Sequence, residues 1–600
     1  MTPRFLARRI GEGLLVAGFL LLTAMPMVDF LGRPFAGFHI HGSATYTQQL
    51  TFFLTFIGGL AATLTGKHLT LSTAGLLHGV RARRDAEFFS CCAAASVTAI
   101  LTYASACVVI AERTQGRELT FGLPIWISES VMPLGLGLIS LAYISKSSNW
   151  FPARLCAAAI AGATFCLGII QPTDSMTWVL GAILMAATLL GSPVFAAMSG
   201  LALILFWRDG TPIAAVSAEI YRLVGSPTLP AIPLLTATGF VLAETNAPLR
   251  LVIFFRALLG SIPGGVAVLV GAVCALFTAL TGGSGVTIIA LGGLVYPILL
   301  NDGYSERFSL GLVTAAGSLG LLFPPCLAVV LYSVVANAPA DQLFVAGFVP
   351  GTLLLTLVVI YGISVGLKSG IERQPFKWRE LMAATRKAKW ELSIPVAMAL
   401  LFGTGLASML ETSAFAFAYT IVISCVIHRD LHPLDQLPAT LVKAAAFVGA
   451  VLMLLSCAMG LTGYLVDAQI PDRLLEVIRE QIHSPLLFLL TLNVVLLVLG
   501  SILEIFSAII VLAPLVIPLG VAFGVHPIHL GIIFLANLEL GFLFPPVGLN
   551  LLLSSSRFAV PITTLYRDVL PFLVILGLGV LLITYVPALS IGMLKLLGRI

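Results

Sequence analysis

The chain has 600 residues, 59% of them hydrophobic and 10% charged, with a mean hydropathy of +1.06 and a formal net charge of +5. Soluble domains hold nearer a quarter charged residues, so a water-soluble globular fold is excluded and the lipid bilayer becomes the main solvent. So small a net charge leaves no ground for a nucleic-acid partner.

In lipid the backbone must satisfy its own hydrogen bonds, which leaves helices or closed barrels. The apolar runs are about 18–22 residues long, too long for barrel strands and right for helices crossing ~30 Å of hydrocarbon. The expected fold class is therefore an all-α polytopic membrane protein. Arg4, Arg8 and Arg9 precede a first span at about 10–30 and predict a cytoplasmic N-terminus. With no small-residue cleavage site after a short core, this segment reads as an anchor, not a removable signal peptide. A second span near 46–64 returns to Lys67, Arg81, Arg83 and Arg84. A third (88–111) goes out, and a fourth (125–144) comes back to Lys146 and Arg154. The stretch 153–170 is one more span, which lets the following region begin outside.

From about 175 onward Gly and Pro punctuate nearly every apolar run. Leu322-Phe323-Pro324-Pro325 returns as Leu543-Phe544-Pro545-Pro546, 221 positions later. Shifting 294–325 onto 515–546 without gaps gives 11 identities in 32 positions, including Gly303 on Gly524 and Gly320 on Gly541; chance in this composition gives roughly three. Paired halves with Gly/Pro-interrupted segments at matching places are the signature of a secondary transporter. The expected organisation is a four-helix module (1–150), a linker helix (151–174) and a transport module (175–600). The transport module comprises one repeat at about 176–367, a charged, cytoplasmic linker (368–394) and a second repeat at about 395–590. Each half holds an amphipathic piece (248–259; 470–482) that suits either the membrane interface or a plain surface helix.

Three constellations are candidates for chemistry. In 278–289, Thr281, Gly282, Gly283, Ser284, Gly285 and Thr287 sit between apolar arms too short to cross alone, which predicts a re-entrant hairpin. Glycines free backbone groups for a ligand and the hydroxyls add oxygen donors. A small-residue packing contact between helices would look the same; the repeat counterpart, with Ser501, Glu504 and Ser507, favours a site. The second constellation is the pair of breaks. Gly320 and Gly541 each precede a Pro-Pro pair that removes donors and opens the helix, exposing carbonyls near 316–320 and 537–541. The third is the set of polar residues in apolar surroundings, Glu504, Asn537, Glu539 and Asn550, which are functional candidates by default; Glu244, Glu411 and Asp467 lie nearer predicted span ends. The nine cysteines contain no CxxC pair and read as packing residues. His39/His41 and His428/His432 are weak metal spacings. No catalytic triad order, Walker loop or metalloprotease motif occurs, so an enzyme is not expected and an ion gradient is the expected drive.

The stretches GLVYPILLNDGYSERFSLGLVTAAGSLGLLFPPCLAVVLY and HPIHLGIIFLANLELGFLFPPVGLNL resemble the large membrane subunit of tripartite ATP-independent periplasmic (TRAP) transporters, over about 175–590. Residues 1–150 resemble the small subunit of that family. They depart from its usual pattern at Tyr46-Thr47-Gln48-Gln49, where a Trp-Thr-Glu-Glu-like sequence is usual, and at His68-Leu69-Thr70-Leu71-Ser72. The resemblance implies a fused, Na⁺-coupled, elevator-type importer of a small organic anion in a bacterial inner membrane, built from inverted repeats and served by a periplasmic substrate-binding protein. It implies one Na⁺ site at Gly282, Gly283, Ser284, Thr287, Gly317, Ser318 and Gly320. It implies a second at Glu504, Ser507, Asn537, Glu539 and Gly541. Substrate would sit between the tips, near Ser284, Gly285, Pro324, Pro325, Pro545, Pro546 and Asn550. The alternative within the same class is a stand-alone ion-coupled carboxylate transporter, for which the first 150 residues would be superfluous.

Overall fold

The computed structural model describes residues 3–33, 40–70, 80–148, 150–167, 174–223, 226–262, 264–370 and 375–599. His39, Leu71, Ser72, the 168–173 end of the linker segment and the side chains of Arg4, Arg8, Arg9 and Cys166 lie outside the described residues. Among the described residues there is no strand, only two isolated bridges, Thr70 with Pro193 and Glu118 with Pro124. Among the described residues, ten helices are long and apolar enough to cross a bilayer, and shorter apolar ones accompany them. The chain divides into two units.

The first unit spans Met1–Pro233 and Pro438–Leu474. Its early helices are Pro3–Gly32, Ser43–Thr65, Val80–Gln115 and the pair Ile125–Glu129 and Val131–Lys146. The predicted second span is more polar than its neighbours because it buries threonines at four-residue spacing. Thr51 bonds the carbonyl of Thr47 (2.8 Å), and Thr55 that of Thr51 (2.9 Å). Those hydroxyls are satisfied within their own helix, so the stripe can be buried in a low-dielectric interior. The Lys146 ammonium donates to the Thr63 carbonyl at the end of that helix, where a cation also suits the helix dipole. Phe151–Leu167 follows as the linker helix, then Asp174–Leu189, Val194–Arg208 and Ala214–Arg222.

Helix Gln436–Asp467, from far along the chain, also belongs to this unit. Its Gly449 meets Gly58 so closely that a Cβ on Gly449 would lie on the Gly58 backbone, and one on Gly58 would sit 3.0 Å from the Gly449 Cα. Ala62, Ala446 and Ala450 continue the contact. Small residues let two helix backbones approach where no hydrophobic effect drives them together.

The second unit spans Leu234–Leu437 and Leu475–Ile600. It contains two series of helices in the same order. Gly265–Thr281 and Ser284–Asn301 form a first hairpin; Glu306–Ala316 and Leu327–Ala336 are the two halves of a broken helix; Ala340–Lys368 closes the series. Pro485–Ile502 and Ile505–Ala522 form a second hairpin, followed by Pro527–Gly541, Leu549–Phe558 and Ile562–Tyr585. Corresponding helices begin 220 to 222 residues apart. The charged stretch expected as a linker is largely helical, in Trp378–Gly403. Its Glu391 is buried and accepts from Arg250 of helix Ala247–Leu259 at 2.6 Å. Arg250 also reaches Asp430, at 2.6 Å, so one guanidinium compensates a buried carboxylate and a half-buried one. Glu411 is the second half of a capping box with Ser408, which explains an acid at that helix start.

Candidate ion and substrate site

The first hairpin turns at Gly282 and Gly283. Gly282 has φ of +71°, and a Cβ there would lie 2.6 Å from the Cβ of Leu327. Backbone conformation and space therefore both require glycine. The tip is thus seated on the start of the second half of the broken helix. Gly283 is open: a Cβ there would meet only the Val286 side chain, at 3.8 Å. Ser284 and Thr287 are buried on the outgoing arm.

Thr278, on the incoming arm, joins the hairpin to the break. Its hydroxyl donates to the Gly317 carbonyl at 2.8 Å and lies 2.7 Å from the Thr287 hydroxyl. Gly320 packs on the same arm, where a Cβ would strike the Ala275 carbonyl and come within 2.6 Å of the Thr278 Cβ. Thr278, Thr287 and the Gly317 carbonyl are thus brought into one neutral oxygen cluster, with no carboxylate among them. Ser318 is fully buried but turns back on its own helix end, 3.3 Å from the Ala315 carbonyl.

The second hairpin repeats this seating with different chemistry. The Ser501 carbonyl accepts from Gly548 N at 2.9 Å, and Gly548 stands 221 positions after Leu327. Gly500 and Gly541 touch back to back: a Cβ on Gly541 would lie 2.7 Å from the Gly500 carbonyl carbon. Asn537 donates to the Asn493 side-chain oxygen (2.5 Å) and to the Ile533 carbonyl (2.8 Å); Thr584 donates to Asn493 (3.1 Å). Glu539, which occupies the place of Ser318, is 2% exposed, and neither carboxylate oxygen has a hydrogen-bond partner. Glu504 caps its own helix, accepting from Phe506 N at 3.1 Å. Ser507 is buried one turn along.

The opening expected near 537–541 lies later. Helix Pro527–Gly541 is continuous through Asn537 and Glu539, and the Leu538 carbonyl still accepts from Phe542 N at 3.2 Å. The chain leaves the helix only after Gly541, because the Pro545-Pro546 pair disrupts the ladder downstream. In the first repeat the helix ends at Ala316, as expected from sequence. Both Pro-Pro bonds are cis.

Of the substrate residues, Ser284 is buried, and Gly285 faces Leu553, with a Cβ position 2.8 Å from its methyl carbon. Asn550 is fully buried and donates to the Thr314 carbonyl at 3.3 Å, leaving its own oxygen without a partner. The Thr314 hydroxyl bonds Ser554 at 2.9 Å, so the two broken helices are tied together by polar side chains. Sequence reasoning missed Thr278, Thr314, Asn493, Ser554 and Thr584. Asn493 carried a readable signal, an amide in a long apolar run. The threonines and Ser554 did not, since such hydroxyls commonly bond their own helix.

A family model described as "Tripartite ATP-independent periplasmic transporter, DctM component" matches residues 181–589, and one for the DctQ component of these transporters matches 22–152. The C4-dicarboxylate TRAP transporter large permease protein DctM of Pseudomonas aeruginosa is 33% identical over 399 residues, covering 66% of this chain and 93% of that protein. Vibrio cholerae has a protein of the same description, 31% identical over 427 residues, 67% of this chain and 94% of its own length. The isethionate TRAP transporter permease protein DctMQ of Oleidesulfovibrio alaskensis is 30% identical over 476 residues, 78% of this chain and 74% of that protein. With both component families matched in one polypeptide of many apolar helices, the chain belongs to the TRAP transporter family, as a multi-pass membrane permease that fuses the small and large subunits and not as an enzyme.

Proposed function

We propose that this protein is a Na⁺-coupled importer of a small organic anion, delivered by a periplasmic substrate-binding protein across a bacterial inner membrane, with the N-terminus in the cytoplasm. The observation that carries this reading is the pair of hairpin tips seated on broken helices, the first beside a cluster of buried neutral oxygens and the second beside a buried carboxyl whose oxygens the protein leaves without a partner. Unpartnered polar atoms in a dry interior are costly, so a bound species is expected to meet them. At the first tip the donors are neutral oxygens, Thr278, Thr287 and the Gly317 carbonyl. At the second, Glu539 brings a carboxylate with no counter-charge. Hard oxygens of this kind suit an alkali cation better than a transition metal. Na⁺ would therefore be held by Thr278, Thr287, Ser284 and the Gly317–Gly320 loop in one half, and by Glu539 with Ser507 and Asn537 in the other.

The substrate would lie between the tips, where Ser284 and the free Asn550 oxygen border the Thr314–Ser554 link. Bound cations would lend positive charge to this region, and Arg557, whose guanidinium lies against Gly293 of the first hairpin, adds to it, which makes an anion acceptable there. Relatives are described as carrying C4-dicarboxylates, isethionate, ectoine and sialic acid. A carboxylate or sulfonate of similar size is the class we assign. Elevator-type alternating access, with the hairpin-bearing unit as the moving body, completes the reading. The test is uptake into proteoliposomes with the cognate binding protein supplied outside. Replacing Na⁺ by choline should abolish uptake, and omitting the binding protein should do the same. Undiminished uptake in choline would overturn the coupling ion, and uptake without the binding protein would favour a stand-alone carrier.

A further inference from the structure

A chain of buried polar side chains runs from the second hairpin to helix Ala588–Leu596, beyond the groups assigned to ion or substrate. Asn537 starts it: its two amide hydrogens go to the Asn493 oxygen (2.5 Å) and the Ile533 carbonyl (2.8 Å). The Asn493 oxygen also accepts from the Thr584 hydroxyl at 3.1 Å. The Thr584 carbonyl lies 3.2 Å from Nε2 of His529, and Nδ1 of His529 lies 2.6 Å from the Ser590 hydroxyl. All of these side chains are buried. A carbonyl only accepts, so Nε2 carries the hydrogen and Nδ1 accepts from Ser590. Thr584 lies in the last turn of helix Ile562–Tyr585, where carbonyls lack an intrahelical donor. The imidazole therefore fastens that helix end to helix Pro527–Gly541.

The first repeat serves as an internal control. Asn493, His529, Asn537 and Thr584 stand 221 positions after Ala272, Phe308, Ala316 and Ile363, the spacing that also superposes Pro350 on Pro571. Every one of these counterparts is apolar. There the equivalent joint is made by aromatic packing, with the Phe308 ring 5.8 Å from that of Tyr361. The fold can thus be closed without polar groups at these places. A buried hydrogen bond adds only about 1 kcal/mol net, and the second half also leaves the Asn493 amide nitrogen without a partner. Stability alone gives no reason for the exchange, but orientation does. With both hydrogens of the Asn537 amide spent, the group cannot turn over, and its oxygen is the only atom it has left for a ligand.

We propose that His529 is a positioning residue for ion binding: it holds Thr584, Thr584 holds Asn493, and Asn493 keeps the Asn537 oxygen presented to the cation. This rests on the reading of Asn537 as a ligand of the second Na⁺. His529 is not itself a ligand, since both ring nitrogens are taken, by Thr584 and Ser590. It acts through the chain, so its removal loosens Asn537 without taking away an oxygen that holds the ion.

The test is thermal unfolding of the full chain across a NaCl series balanced with choline chloride, on variants compared at equal monodispersity in size-exclusion chromatography. His529→Phe, which installs the side chain of the first repeat, should raise the Na⁺ concentration for half-maximal stabilisation several-fold. His529→Gln, whose amide nitrogen can replace Nε2 as donor to the Thr584 carbonyl, should restore it. Thr584→Val, nearly isosteric, should act like His529→Phe and keeps the test if the latter fails to fold. Adding His529→Phe to Asn493→Leu should change nothing beyond Asn493→Leu alone, because one acts through the other. A Na⁺ midpoint that stays at the wild-type value in His529→Phe and Thr584→Val, while melting in choline falls, overturns the proposal and leaves a helix cap only. Effects that multiply in the double variant overturn it too. If Na⁺ does not stabilise the wild type, the cation reading falls instead; initial rates of uptake then carry the same comparison, and equal rates for His529→Phe and His529→Gln overturn the chain.

Discussion

Replacing Thr278 by Val is the sharpest probe of the first oxygen cluster. The two side chains have nearly the same shape, so the packing of a fully buried position is kept while the hydroxyl is lost. That hydroxyl donates to the Gly317 carbonyl (2.8 Å) and pairs with Thr287 (2.7 Å). A buried acceptor left without its donor costs about 1–3 kcal/mol. Thr287 has a fallback: its hydroxyl can turn to a carbonyl of its own helix, the common resting place of a helical threonine. The Gly317 carbonyl has none, because the helix has already ended at Ala316. The stability loss is therefore set by one orphaned acceptor.

If the cluster holds Na⁺, the same change also removes one of its oxygen ligands. A loss of about 1–2 kcal/mol in cation binding corresponds to roughly 5–30-fold in affinity. The measurement needs neither substrate nor binding protein. Thermal unfolding of the purified protein is followed across a NaCl series balanced with choline chloride, because a ligand that binds the folded state raises the melting temperature as its concentration passes its dissociation constant. Thr278→Val should lower the melting temperature in choline and raise the Na⁺ concentration for half-maximal stabilisation by roughly tenfold, about 1.4 kcal/mol. Thr278→Ser should restore the Na⁺ dependence. A Val variant that loses stability in choline yet titrates with Na⁺ like wild type would show that the hydroxyl is a packing bond and no part of an ion site.

Four further outcomes are expected. Gly541→Ala should destabilise by about 1–3 kcal/mol through overpacking, because its methyl would press on the Gly500 backbone, which cannot rotate away; Gly283→Ala, in open space, should melt like wild type, and the reverse order would contradict the packing described. Arg250→Ala should cost about 3–5 kcal/mol by leaving the buried Glu391 without its guanidinium partner. Burial alone would push the Asp430 carboxyl up, but hydrogen bonds from Arg250 and Asn246 outweigh it and hold the carboxyl below its usual range. Its contribution is thus complete above the ordinary carboxylate range and lost as pH falls through the depressed value; acid melting curves of wild type and Asp430→Asn should converge there, and a constant gap down to the lowest pH would contradict this. If the halves are inverted copies, single cysteines at Thr281 and Ser501, in a background without the native nine, should react with an impermeant thiol reagent from opposite faces, with Na⁺ and substrate protecting both. Labelling from one face in every condition would show parallel halves.

The hairpins and breaks were legible because glycine and proline act on the backbone, and backbone effects are written in the local sequence. Gly282 with its positive φ, and the Pro324-Pro325 and Pro545-Pro546 pairs, announce themselves whatever surrounds them. The position of the second break was not, since helix Pro527–Gly541 keeps its hydrogen bonds until the prolines themselves intervene. Side-chain partners were harder still. In a soluble protein a polar stripe tells which face is buried, but here both the lipid face and the core face are apolar, so helix Gln436–Asp467 gives little sign that Gly449 will seek Gly58. Asn493 was overlooked for a different reason: it lies outside the Gly/Pro-broken segments, yet it orients the Asn537 amide within one of them.

The two halves are alike in backbone and unlike in charge, and that difference bears on how a coupled carrier could work. At the position where the first repeat has Ser318, turned onto its own helix end, the second has Glu539, buried with both oxygens free. A cation entering the first cluster meets neutral dipoles and leaves a net positive charge there. A cation entering the second meets a carboxyl that can give up its proton as the cation binds, so the filled site is neutral. Desolvation opposes both steps, but only the second is repaid by charge neutralisation, so the Glu539 side should fill at lower Na⁺ concentration. The positive charge left at the Thr278–Thr287–Gly317 cluster is then what an anion between the tips would meet. If the proposed coupling holds, Glu539 would set the standing occupancy and the neutral cluster would couple the second ion to substrate. Glu539→Gln should accordingly abolish the high-affinity phase of Na⁺-dependent stabilisation while leaving the anion-enhanced phase in place. Loss of both phases together in a monodisperse variant would mean that the two clusters form a single site.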